Sequence, residues 1–206
     1  MNKKLNELEN VLARANHLIE ELKKPIIEQE AKRGNIISIA GIEWIVLKVE
    51  GAKVFCITKD FDSSSTKFDS DSNKWESSNL RNYLNTKFYK KISNNIGAEN
   101  ILPIKADMLS LDGQTEYGKC EDKVSLLTVD MYRENRDILP NTDKWWWLAT
   151  PWSTPCNDYN TLVCVVSPLS SVDYYGCGSS RAVRPFCIFD SSIFESCEDE
   201  EDDWDF

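Results

Sequence analysis

Residues 144–155 read K-W-W-W-L-A-T-P-W-S-T-P, from Lys144 to Pro155. Four of the seven tryptophans, Trp145, Trp146, Trp147 and Trp152, fall within eight positions. Such a cluster is either a stacking surface for a ligand or the densest part of a core, and which of the two it is decides the fold. Tryptophan favours both, because a large apolar ring carries a polar N–H that needs a partner when buried.

The flanking sequence reads as a globular domain. The 206 residues are long enough for one domain with appendages, and 41% hydrophobic content argues against global disorder. No run approaches the ~20 apolar residues of a membrane span, and the N-terminus lacks the apolar stretch of a secretory signal. Seven cysteines with no C-x-x-C pair predict reduced thiols in a cytoplasmic setting and give no support to a zinc site. The net charge is −10, yet the last twelve residues carry eight carboxylates and no base, leaving about −2 for the rest. No basic stripe for nucleic acid is visible.

Leu5, Leu8, Leu12, Ala15, Ile19, Leu22 and Ile26 alternate three and four apart, the a/d spacing of a heptad helix over residues 5–26. Two readings stand: a helix packed on its own domain, or a coiled coil joining copies of the chain into a homo-oligomer. Pro25 predicts a break near Lys24. From Gly34 the alternation of Ile36–Ile39, Ile42–Val49 and Val54–Ile57, punctuated by Gly41 and Gly51, predicts an antiparallel meander. Residues 60–74 and 107–122 read as loops. A helix capped by Ser77 or Ser78 carries Leu80, Leu84 and Phe88 on one face. A strand is expected at Val124–Val129, followed by a short helix. The predicted divisions are 1–33, helical; 34–190, an α+β domain; and 191–206, a disordered acidic tail.

Five motifs then come in order: G-I-E-W-I-V-L (41–47), W-E-S-S-N-L-R-N-Y-L-N (75–85), K-V-S-L-L-T-V-D (123–130), W-W-L-A-T-P (146–151) and A-V-R-P (182–185). In sequence and spacing residues 34–189 resemble a large family of uncharacterised bacterial and phage domains. That family is in turn similar to the C-type-lectin-like fold of formylglycine-generating enzymes and of the variable proteins of diversity-generating retroelements. The resemblance implies a C-type-lectin-like domain with small antiparallel sheets. Within it Trp146, Trp147 and Leu148 occupy a central strand, with alternate rings on opposite faces. Ala149 stands where the family usually has Arg.

Chemistry has little support. The one histidine, His17, lies in the heptad segment, so a Cys–His dyad would depend on it. No phosphate-binding glycine motif is present. Cys177 and Cys187 fall where formylglycine-generating enzymes bind copper, but their surroundings differ, and they read as small buried hydrophobes. No cofactor, metal or catalytic residue is assigned, and Asn157 with Asp158 is a weak calcium pair.

Residues 153–182 differ from the rest. Eighteen of the thirty are Ser, Asn, Asp, Tyr, Cys or Gly, the composition of an adaptable binding surface. The retroelement variable proteins carry their ligand-binding residues in this part of the fold. The resemblance therefore implies recognition of a protein partner through Asn157, Asp158, Tyr159, Asp173, Tyr174 and Tyr175; the residues themselves add Trp152, which opens the polar segment, and Arg181, a polar anchor. A second reading rests on Glu198, Asp199, Glu200, Glu201, Asp202, Asp203 and Trp204. These would mimic nucleic acid, as phage inhibitors do, and occupy the groove of a host nuclease or defence complex in the host cytosol.

Overall fold

The computed structural model describes residues 11–15 and 30–194. The acidic residues 198–204, His17 and most of the heptad positions lie outside them. Residues 11–15 are helical, with Val11 and Leu12 exposed. The chain enters the domain at Arg33, whose guanidinium donates two hydrogen bonds to Asp137, at 2.7 and 2.9 Å.

The fold is α+β. Strands β1 (Ile36–Ile39), β2 (Ile42–Glu50) and β3 (Lys53–Thr58) form the expected meander. Ala40 and Gly41 connect the first two, both in the left-handed region at φ +54° and +70°. That is the turn whose twist matches the strands. The remaining strands are β4 (Ser63–Lys67), β5 (Ile101–Leu102), β6 (Ile104–Asp107), β7 (Lys119–Asp122), β8 (Trp146–Pro151), β9 (Leu162–Val166), β10 (Val172–Gly176), β11 (Ser180–Val183) and β12 (Phe186–Asp190). One sheet runs β1-β2-β3-β12-β5, a second β10-β9-β8-β11-β4, and β6-β7 is a separate hairpin. Helix α1 spans 79–96, with a π turn at Leu84–Phe88, and α2 is Val129–Glu134.

The tryptophan cluster resolves into core. Every residue of β8 is buried. Trp147 meets Phe68 on one face, ring centroids 5.8 Å apart, and Trp146 meets Tyr132 on the other at 5.7 Å. These faces belong to two separate hydrophobic clusters.

Three local expectations differ from the structure. β4 lies inside the polar segment 60–74, where pairing with β11 supplies the backbone hydrogen bonds that a Ser-rich stretch does not advertise. β7 likewise lies inside 107–122. Residues 124–128 join no ladder. Ser125 bridges to Phe186 of the first sheet, and the Leu127 carbonyl accepts from Ala149 N–H of the second. This segment stitches the two sheets together.

The tryptophan–arginine motif of 75–85 is also structural. Ser78 caps α1 by accepting from Arg81 N–H. The buried Asp122 carboxylate accepts from Trp75 Nε1 at 2.7 Å and from Arg81 Nε at 2.6 Å. Asn85 donates to the Val124 carbonyl and accepts from the N–H groups of Lys123 and Val124. Removing one partner of a buried pair strands the others without water. Asp122→Ala is therefore expected to destabilise the fold by about 3–5 kcal/mol, measured by urea unfolding. A loss of the ~1 kcal/mol typical of surface pairs would refute the buried-clamp reading.

Candidate functional site

The segment 153–182 is built around the β9–β10 hairpin at one edge of the second sheet. Val163, Cys164, Val165 and Val166 are buried and pin β9. The turn closes with Ser167 N–H donating to the Ser171 carbonyl at 2.9 Å, and Ser170 is left-handed at φ +65°. Tyr132 Oη donates to the Ser170 carbonyl at 2.8 Å and Ser170 Oγ to Asn141, so the hairpin tip is fixed. Leu169 projects from that tip, 85% exposed.

Along β10 the side chains alternate. Tyr174 lies on the same face as Trp152, ring centroids 4.4 Å apart at 46°. It is 43% exposed. Tyr175 points the other way. Its ring meets Trp145 edge-on at 5.3 Å, and the Arg181 guanidinium lies over it at 3.5 Å. The residues named from sequence therefore divide between two faces: Trp152 and Tyr174 on one, Tyr175 and Arg181 on the other. Asp173 is exposed, and its carboxylate accepts from Tyr174 N–H.

The neighbouring loop carries the rest. Asn157 ends a 3-10 turn and donates to Asp112 at 2.9 Å. Asp112 also accepts from Ser110 and Ser153, and these bonds hold its carboxyl below the usual range. Asp158 is left-handed at φ +60°, and Tyr159 stands 53% exposed beyond it. Asn157 thus holds the loop in place, whereas Tyr159 presents its ring.

Sequence reading passed over the residue that holds this loop. Asn73 is fully buried, and its Nδ2 donates to the carbonyls of Ser153, Tyr159 and Leu162 at 2.9, 3.1 and 2.9 Å. Tyr117 Oη donates to its Oδ1 at 2.6 Å. The surrounding Ser/Asp-rich composition resembles a solvated loop and gave no signal of a hub. A cavity of about 460 Å³ was equally invisible, because Phe55, Ile104, Leu111, Met131 and Phe186 converge on it from separate segments.

The six cysteines among the described residues are free. Burial raises the thiols of Cys56 and Cys187 well above their ordinary range and raises that of Cys177, which keeps them protonated and unreactive. Cys156 is exposed, but its hydrogen bond to Glu116 also raises its thiol.

Compared with protein families and with curated proteins, the chain matches none.

The thiolate is the reactive form, so Cys156 alkylation is expected to be slow at neutral pH and to quicken as pH rises through its elevated pKa. Glu116→Gln is expected to accelerate it at fixed pH. Peptide mapping after alkylation separates Cys156 from Cys197. Equal labelling of Cys56 or Cys187 in the native protein would contradict their burial.

Proposed function

We propose that the protein is a non-enzymatic recognition module that binds a protein partner through an aromatic ledge at the β10 edge. One observation carries the reading: Tyr174 is exposed on an edge strand with its ring held 4.4 Å from Trp152. A ring already fixed by its neighbour loses little rotamer freedom on binding, and such aromatic anchors dominate interface energies. Tyr159 and Leu169 add exposed apolar surface on the flanking loop and hairpin tip.

The proposed fold type is C-type-lectin-like, of the bacterial and phage family that the five motifs resemble. Two mostly antiparallel five-stranded sheets around a helix that starts at the W-E-S-S-N-L-R motif support it. Free cysteines support a reducing, cytoplasmic setting. The competing reading, nucleic-acid mimicry by residues 195–206, rests on their eight carboxylates.

The test is affinity capture with the full chain, followed by variants against the captured protein. Trp152→Ala with Tyr174→Ala is expected to weaken binding by about 30-fold or more, the cost of losing a central aromatic anchor. Tyr175→Ala, on the opposite face, is expected to leave binding within a few-fold of the parent. Circular dichroism controls for folding. Binding that survives the ledge variant but disappears on deletion of 195–206, or with added salt, would transfer the function to the tail.

A further inference from the structure

Strand β10 ends the second sheet, and its outer side pairs with no strand among the described residues. Alternation in the β9–β10 ladder decides which backbone groups lie there. Ser167 N–H donates to the Ser171 carbonyl and Cys177 N–H to the Thr161 carbonyl. Asp173 and Tyr175, in step with them, bond to Val165 and Val163. Val172, Tyr174 and Gly176 therefore turn their N–H and carbonyl groups outward. The Tyr174 N–H donates to its neighbour Asp173 Oδ1, and the Gly176 carbonyl accepts from Ser179 N–H, both at 2.8 Å. The N–H groups of Val172 and Gly176 and the carbonyls of Val172 and Tyr174 have no partner among the described residues. The strand contains neither Lys nor Pro and its ladder has no bulge, the usual guards of a free edge.

The face opposite the ledge carries two charges without a mate. Asp173 shares that face with Tyr175 by strand alternation. It is exposed, and its carboxylate accepts only from the Tyr174 N–H, with no ion pair among the described residues. Arg181 lies over the Tyr175 ring and donates to the adjacent Ser180 carbonyl, and it too has no carboxylate partner among the described residues.

From the edge and these charges we infer that β10 pairs antiparallel with β10 of a second copy of this chain, about a twofold axis at Tyr174. That register sets Val172 opposite Gly176 of the second copy and Asp173 opposite its Tyr175, on one face. Val172 N–H meets the opposite Gly176 carbonyl, which has a second lone pair to offer, and Gly176 N–H meets the opposite Val172 carbonyl. Tyr174 exchanges both of its bonds with its counterpart. Asp173 gives up the Tyr174 N–H and turns to the guanidinium lying over the opposite Tyr175. The contact is isologous, so the Asp173–Arg181 pair forms twice. A foreign strand would carry no such built-in match of charge to register. Pairing at the edge leaves the Trp152–Tyr174 face open and brings two ledges side by side, so the inference goes beyond the ledge reading.

The experiment is sedimentation equilibrium of the full chain over a range of concentration, joined to site-resolved amide hydrogen exchange. A dimer is expected, with exchange at Val172 and Gly176 slowing as it forms. Exchange at Tyr175, already bonded to β9, is expected to stay unchanged. Asp173→Arg is expected to raise the dimer dissociation constant about tenfold, and the double variant Asp173→Arg with Arg181→Asp to restore it. Circular dichroism checks that each variant folds. A chain that is monomeric at every concentration overturns the pairing, as does a dimer whose Val172 and Gly176 amides exchange freely. A dimer that Asp173→Arg leaves intact, or that the double variant does not restore, overturns it too. Loss of such a dimer in Leu12→Asp would assign the contact to the N-terminal helix. If those amides slow in a monomer only when a captured partner is added, the edge belongs to a foreign strand and the second copy is refuted. Both charge variants keep Trp152 and Tyr174, so this inference and the ledge reading fail separately.

Discussion

Arg184 carries a positive charge into the interior without a carboxylate in contact, and the two sheets meet around it. It is fully buried, and its Nε and Nη2 both donate to the Thr58 carbonyl at the end of β3. Its guanidinium stands 5.2 Å from the Trp146 ring of β8. Burial pushes its pKa down to about 10, so it remains charged at neutral pH. A planar, delocalised cation tolerates this setting because it is weakly hydrated and stacks on rings, which a lysine ammonium does less well. Arg184 and Pro185 are also the residues at which the chain leaves β11 in the second sheet and enters β12 in the first. The guanidinium therefore fixes the crossing point from both sides.

That arrangement explains how much could be read from the residues. Strand alternation in 36–57 and the helix face of Leu80, Leu84 and Phe88 are local patterns, and each appears in the fold. The W-W-L run also follows its pattern, since period-two alternation puts Trp146 and Trp147 in different clusters. The same rule separates Tyr174 from Tyr175, although composition alone groups them into one surface. β4 escaped notice because its residues are polar and its bonding comes from β11, more than a hundred positions away. Segment 124–128 has the composition of a strand but divides its hydrogen bonds between two sheets. Asn73 and the cavity depend on convergence of distant segments, which no local pattern records.

The motif residues turn out to hold the fold. Trp75 and Arg81 meet on Asp122, Asn85 binds the backbone at 123–124, and Arg184 joins the sheets. Trp75, Arg81 and Asn85 have their polar groups bonded internally, and Arg184, whose Nη1 has no partner, is fully buried. In the proposed function the recognition chemistry comes from residues that face outward, and these lie where the motifs do not. Tyr174 sits at an edge strand and Tyr159 on a loop gripped by Asn73, so rigid supports present both side chains. An exposed ring there can change identity with little effect on the core, because β9 rather than β10 carries the buried valines.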